Sequence, residues 1–427
     1  MVKASSGALE VRTETDERDR ELRDARRAVE IKCALLADGV RVAPNAVPVE
    51  RINLTRRHLY DYGVARAGHE IPYEIVLSRL PSLAGLPIIA RVRYNPSSEW
   101  ELSGAGGHEV LRNLKSGAEV PVEVPRVTDF RGHQVMGHEL SLVVQRLGYD
   151  LLGLVPTNYC SYYTSSEKCA FCEIVETFKD ESPAGAPYRK RLDLLIAATE
   201  LAASLDDQIT SLTYNGGQLA GYDQTVRMYV QLLRGVWSRP VTRNLDTTIA
   251  CMPPTTLSLV DELYAAGLNQ LFINMETYDE TALERLAPAK ARVGIPRMLA
   301  AMKHATRSFG VGRVYTNLVY GVQALGAIGA DDDATETRLM LGATEHIAAE
   351  GVVPTFTVYH SSGRNGTGLI RLSGGALYDF TCGYGEAVWA SGVIDHSRES
   401  ILFTIGSLPN TTYNDGWILA LLSSNRR

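Results

Sequence analysis

A chain of 427 residues, 45% of them hydrophobic, can bury a large core and more than one domain. With 22% charged residues and a formal net charge of −6, it lacks the basic footprint of a nucleic-acid binder and has no general attraction for phosphate or anionic lipid. No apolar run reaches the length of a membrane span, and the N-terminus, MVKASSGALEVRTETDERDRELRDARR, turns polar at once without an apolar signal core. A cytoplasmic location is therefore expected, with no membrane and no nucleic-acid partner. Six cysteines are too few for a disulfide scaffold, and a reducing compartment leaves them free as ligands or nucleophiles.

Residues 1 to about 14 read as disordered. From Asp16 to Asp38 the pattern is helical: Leu22, Ala25, Val29, Cys33 and Leu36 recur at steps of three and four, and Gly39 is a plausible stop. Cys33 on that apolar face reads as core. Residues 40 to 145 mix strand-like runs (LPIIARVRY, EVPVEVPRV) with turn signals, giving an α+β N-terminal region over 1–145. The loop Gly104–Gly107 lacks a following Lys-Ser/Thr, so it reads as a turn and not a phosphate loop. His133 and His138 flank QVMG without metal-ligand spacing.

Further along, short apolar runs alternate with helical patterns. The expected strands are 150–157, 209–215, 244–250, 268–275, 313–320 and 352–359; the expected helices lie near 188–203, 221–236, 255–266, 292–309 and 334–349. This alternation predicts an α/β fold of right-handed βα units. Too little chain follows Tyr359 for two more units, so a partial (βα)6 TIM-like barrel over 146–362 fits better than a closed eight. Residues 363–427 form a short C-terminal extension capping it. Chemistry in such folds sits at the carboxyl ends of the strands. The cysteine loop, YNGGQ, METYD, YGVQ and YHSSG all fall there.

The cysteine loop is NYCSYYTSSEKCAFCEI, with Cys160, Cys169 and Cys172. Structural zinc takes four closed ligands, typically as two close pairs. Here there is one close pair, CAFC, and a single Cys160. Cys251 and Cys382 are isolated and distant, and no histidine lies in the stretch. Three thiolates suit an iron–sulfur cluster with one iron left open, and an open metal position admits a small molecule. Phe171 would pack against such a cluster. Zinc remains the other reading of the same residues.

These features resemble the radical S-adenosylmethionine (radical SAM) superfamily. There, three cysteines follow the first strand of a partial barrel, and an aromatic commonly precedes the last cysteine of the close pair. The usual gap of three residues between the first two cysteines is eight here. The resemblance implies a 4Fe-4S cluster on Cys160, Cys169 and Cys172. YNGGQ is similar to a Gly-Gly-Glu-like motif, which implies Gly216, Gly217 and Gln218 as S-adenosylmethionine contacts, with Gln218 in place of the acid. NMET is similar to an Asn-Leu-Asp/Glu-Thr stretch, which implies Asn274 and Glu276 at the ribose. VYGVQ is similar to the strand-five glycine motif and implies Gly321 beside adenine, with Gln323 where an acid is usual.

From about Pro121 onward the chain is most similar to a bacterial radical SAM family encoded beside nitrilase genes. The shared stretches are PVEVPRVTDFRG, LGYDLLGLVPTNYCSYY, CAFCEI, LERLAPAKA and SFGVGRVYTNLVYG. Lys290 keeps its place in APAKA. Lys290 and Arg313 could each hold the carboxylate of S-adenosylmethionine or substrate, Arg as a fork and Lys as a point charge. Tyr159, Tyr162 and Tyr163 flank the cysteines and read mainly as packing. His360 ends the sixth strand as a candidate substrate contact.

The implied activity is reductive cleavage of S-adenosylmethionine to a 5′-deoxyadenosyl radical that abstracts hydrogen from a small-molecule substrate. Rearrangement, fragmentation or dehydrogenation would follow in a biosynthetic pathway. An electron donor such as flavodoxin or ferredoxin is the implied partner. A second cysteine cluster and an Asp-x-His-x-x-Gly stretch are both missing, which disfavours sulfur donation and cobalamin-dependent methylation. Two alternatives stay open: a non-radical enzyme that transfers the aminocarboxypropyl group, and a zinc-binding structural protein on a degenerate barrel.

Overall fold

The computed structural model describes residues 6–43, 72–104, 108–125, 128–148, 150–163, 166–182, 185–360, 367, 371–394 and 408–424, apart from the side chains of 6–15, 177, 180 and 181. Residues 105–107 of the glycine-rich loop lie outside the described residues. No helix among the described residues is long and apolar enough to cross a membrane.

The chain opens with helix α1 (Ser6–Asp38), which begins well before the expected Asp16. Its first turns are rich in Glu and Arg, good helix formers, so polar composition here extends a helix instead of ending one. Leu22, Ala25, Val29 and Leu36 are buried, as the three- and four-residue spacing requires. An antiparallel hairpin follows, β1 (Glu74–Leu80) with β2 (Leu86–Arg91), beside a small sheet built from residues 41–42, 100–103, 110–113 and 119–121.

The main sheet comprises β3 (Val144–Leu147), β4 (Leu151–Leu154), β5 (Ser211–Tyr214), β6 (Asp246–Ala250), β7 (Gln270–Phe272), β8 (Val314–Tyr320) and β9 (Val353–Val358). Their spatial order is β9-β8-β7-β6-β5-β4-β3. Strands β4 to β9 are mutually parallel, and β3 joins β4 antiparallel at the edge. The six parallel strands are the six expected, each shorter than its apolar run. Helices α2 (Leu192–Leu205), α3 (Tyr222–Trp237), α4 (Ser258–Ala265), α5 (Ile295–Phe309) and α6 (Asp333–Ala349) fill the connections. The fold is a partial (βα)6 TIM-like barrel. The unexpected β3 comes from a stretch with no alternation of its own; it is a strand because β4 offers it an open edge.

After the barrel, the described residues hold two long helices, α7 (Gly374–Ser391) and α8 (Tyr413–Ser424). Gly385 and Gly416 let them touch backbone to backbone: a Cβ at Gly385 would lie 2.1 Å from the Gly416 carbonyl oxygen. Leu22 and Leu35 of α1, Ile88 of β2, Phe356 of β9, Phe380 of α7 and Trp417 of α8 share one buried cluster. The core therefore runs unbroken across the divisions expected near 145 and 363.

Lys32, fully buried, ties these parts together. Its Nζ donates to Asp415 Oδ2 of α8 at 2.6 Å and to the Leu408 carbonyl at 2.7 Å. Removing one member of a buried pair strands the other charge. Lys32→Met is expected to cost about 3–5 kcal/mol in urea denaturation, and Lys32→Met with Asp415→Leu to recover part of that loss.

Candidate functional site

Where β4 ends, the chain turns through Thr157 into the cysteine loop. The loop after β5 is laced to it: Gly217 N donates to Thr157 O at 2.9 Å, and Ser161 N donates to Gln218 O at 2.7 Å. A Cβ at Gly217 would sit 2.0 Å from Tyr159 O and 2.9 Å from Cys160 N; one at Gly216 would sit 2.9 Å from Thr157 O. Both positions need glycine because the cysteine loop crosses directly over them. Gln218 is buried, with its amide donating to Leu219 O (2.9 Å) and Thr225 Oγ1 (2.7 Å).

The close pair is pinned from the other side. Ala170 N donates to Leu286 O at 2.7 Å, and Cys172 N closes a turn onto Cys169 O at 3.1 Å. Phe171 inserts among Val319, Val322, Tyr359 and Leu286, so the aromatic of CAFC anchors the turn to the loop after β8.

All three thiols open onto one cavity of about 200 Å³ at the carboxyl ends of the strands. Gly216, Gly217, Gln218, Asn274, Glu276 and Lys290 line it too. Six of the eight expected cofactor contacts thus meet the three expected metal ligands in one place. A fourth thiol, Cys251, joins them directly after β6. Its remoteness in sequence misled; its position immediately after a strand, on the rim, was the available signal. Burial raises the thiols of Cys169 and Cys172, the latter to about 12, and that of Cys251 to about 12.

Glu276 carries the unusual backbone of the site. Its φ is +70°, a left-handed conformation that a side chain other than glycine or Asn rarely adopts. The neighbours hold it there: Glu276 N donates to Asn317 O, and its carbonyl accepts from Val319 N and Gln323 Nε2, each at 2.9 Å. Strain retained in this way gathers at functional sites. Its carboxylate pairs with Lys290 Nζ, which also donates to Asn274 O at 2.8 Å. Burial opposes the charge on Lys290, but Glu276 and the thiols of Cys169 and Cys172 outweigh it and raise the lysine's pKa. The Asn274 Oδ1 is buried with no hydrogen-bond partner among the described residues. A buried, unsatisfied acceptor on a cavity wall suits a ligand donor.

Other expected residues stand elsewhere. Arg313 precedes β8, at the amino ends of the strands beside Asp246, and does not line the cavity. The order of the chain decides this: a residue just before a strand falls on the rim opposite the loops that follow strands. Gly321 (φ +102°) faces Leu372 and Tyr359. Its N donates to Glu336 Oε1 at 2.6 Å, and the other oxygen of Glu336 accepts from Ala324 N at 2.9 Å. His360 is buried against Arg93, Nδ1 to Nη1 at 3.1 Å, and lines no cavity described here. Burial and the two arginines Arg93 and Arg91 hold it neutral. Tyr162 lines the cavity and meets the Tyr222 hydroxyl at 2.6 Å. Tyr159 stands edge-on to Tyr188, and Lys168 lies over the Tyr163 ring, so both rings pack locally.

The donor set bears on which metal fits. Among the described residues, no group of three or more His, Cys, Asp or Glu side chains converges to hold a single ion. Mononuclear zinc needs four donors at about 2.0–2.3 Å from one point. A cluster instead asks each thiolate to meet its own iron, which three thiols on one cavity wall can do. The residues present fit the cluster.

No protein-family model matches this chain, and no curated protein matches it. Several solved structures do. The FeFe-hydrogenase maturase HydG from Carboxydothermus hydrogenoformans is 14% identical with a TM-score of 0.41, covering 56% of this chain and 52% of that one. Methylornithine synthase (PylB) is 16% identical with a TM-score of 0.41, covering 63% and 70%. Coproporphyrinogen III oxidase (HemN) from Escherichia coli, named as a radical SAM enzyme, is 17% identical with a TM-score of 0.29, covering 51% and 46%. The chain spans about half the length of the HydG structures it matches. At such low identity and overlap these likenesses decide neither activity nor substrate, and the functional reading rests on the cavity.

Burial pushes the Glu336 carboxyl up to about 7, against the backbone N–H groups that favour its charge. The folded state therefore holds a proton that the unfolded state releases near pH 4.5, the ordinary value. Stability contributed by this group falls as pH rises between those two values. Urea denaturation across that window is expected to show a flatter pH dependence for Glu336→Gln than for the native protein.

Proposed function

We propose that this chain is a radical SAM enzyme acting on a small-molecule substrate. The observation that carries the reading is the meeting, in one cavity at the carboxyl ends of a partial barrel, of Cys160, Cys169 and Cys172 with the Glu276–Lys290 pair and the unsatisfied Asn274. The three cysteines would hold a 4Fe-4S cluster and leave one iron without a protein ligand. When bound, the cluster and S-adenosylmethionine would supply the chemistry: one electron cleaves the sulfonium to methionine and a 5′-deoxyadenosyl radical, which takes hydrogen from the substrate.

The chain's own residues bind and orient. Asn274 Oδ1 would accept from a ribose hydroxyl, and Glu276, fixed by its backbone, would present a carboxylate to the same sugar or to the amino group. Lys290 supplies the charge for the carboxylate. Gly216 and Gly217 bring the β5 loop and the cysteine loop into backbone contact, so the two loops are held against each other. Phe171 keeps water from the close pair. A flavodoxin or ferredoxin would serve as electron donor, and the substrate radical would go on to rearrangement, fragmentation or dehydrogenation.

The test is anaerobic. After reconstitution with iron and sulfide, reduction with dithionite and addition of S-adenosylmethionine, the native protein is expected to form 5′-deoxyadenosine, read by mass spectrometry. The Cys160→Ala, Cys169→Ala, Cys172→Ala protein is expected to form none. Methylthioadenosine in its place would assign aminocarboxypropyl transfer; colourless, zinc-loaded protein forming neither would defeat both enzyme readings.

A further inference from the structure

Below the cysteine cavity lies a second chamber of about 130 Å³. Asn215, Ala250, Asn274, Asn317 and Thr357 border both spaces, so the two share a wall. The barrel's own alternation builds the chamber. Thr213 and Asn215 on and after β5, Phe272 and Asn274 on and after β7, and Thr355 and Thr357 on β9 are two apart and face inward. Their neighbours Leu212, Leu271 and Phe356 are buried on the other face, where Phe356 meets Phe380 and Tyr384 of α7.

In a barrel that is only a core, Val, Ile and Leu fill these inward layers. Here the inward positions carry Thr213, Thr248 and Thr355 together with Asn215, Asn274 and Asn317, with Asn317 directly across from Thr355. Small hydroxyl and amide side chains leave space and furnish hydrogen-bonding groups around it. Some of that capacity is spent inside the protein: Thr248 Oγ1 donates to Gln270 Oε1 at 3.1 Å, Thr355 Oγ1 to Thr316 O at 3.1 Å, and Thr357 Oγ1 to Asn317 Oδ1 at 3.0 Å. Asn274 Oδ1 has no such partner. The opposite wall is apolar, made by Tyr73, Leu147, Leu151 and Leu408. Pro409, Asn410 and Thr411 close it, and Thr411 is fastened to the Phe356 carbonyl.

No Asp, Glu, Lys, Arg or His occurs among the described residues lining the chamber; the ionised pair, Glu276 and Lys290, lines only the upper cavity. A charged group lowered into the chamber would leave its water without gaining a counter-ion. We infer that this chamber is the substrate site, and that it takes an uncharged amide- or hydroxyl-bearing group with an apolar side, on the order of six non-hydrogen atoms, by comparison with a ~150 Å³ cavity that takes benzene. Calling the occupant a substrate rests on the radical reading; the chamber's preference for neutral polar ligands does not.

Four matched probes test it on the full chain, without iron or S-adenosylmethionine, by saturation-transfer NMR: pentanamide, pentanediol, pentanoate and pentylammonium. The two neutral probes are expected to bind at millimolar concentration and the two ions not. Thr213→Leu fills the chamber, and Thr213→Val keeps its shape while removing a hydroxyl. Thermal melting checks that both variants fold. Thr213→Leu is expected to weaken the neutral probes about tenfold, and Thr213→Val by less. Either ion binding as well as the neutral probes, neutral binding unchanged in both variants, or no neutral binding would overturn the proposal. Failure to form 5′-deoxyadenosine would leave these results standing, and their failure would leave the cofactor reading untouched.

Discussion

The fold depends on one buried cation. Lys32 of the first helix reaches across the molecule to Asp415 of the last one and to the Leu408 carbonyl. A buried ion pair gains little net stability, since desolvation offsets attraction. What it fixes is position. A partial barrel has an open side, and the segment from Leu408 to Thr411 covers part of it. Lys32 holds that segment at one end and Thr411 at the other. The wall of the inner chamber is therefore set by residues far from it in sequence.

The barrel was legible in the sequence because its two periods are. Strands of three to seven residues and helices such as α3, with Val226, Val230 and Leu233 on one face, leave a pattern that needs no partner to be read. The parts that escaped notice are those whose structure comes from a neighbour. Val144–Leu147 is a strand because β4 presents an edge to it. The first helix extends to Ser6 through residues whose polarity suggested disorder.

The site divides in the same way. The cysteine spacing singles out three candidate ligands, and the rule that chemistry follows the strands puts Asn274 and Glu276 on the rim. Distance along the chain hid Cys251, which reaches the cavity through strand order alone. The same rule, applied to Arg313, puts it on the wrong rim, because it precedes its strand. The glycines were read as making room for a ligand; the structure shows the cysteine loop using that room. The left-handed backbone of Glu276 has no signature in composition or period, since it arises from hydrogen bonds to the Asn317 and Val319 backbone and from the Gln323 side chain.

The shared border of the two spaces has a thermodynamic consequence. Asn274 presents one amide to both, and its oxygen has no partner among the described residues. An amide turned to satisfy a guest above is fixed in what it offers a guest below. Occupancy of one space would then change affinity in the other, and linkage makes that change reciprocal: the factor one guest lends, it receives back in full. Two guests that summon each other across one shared amide would fill the barrel as a pair.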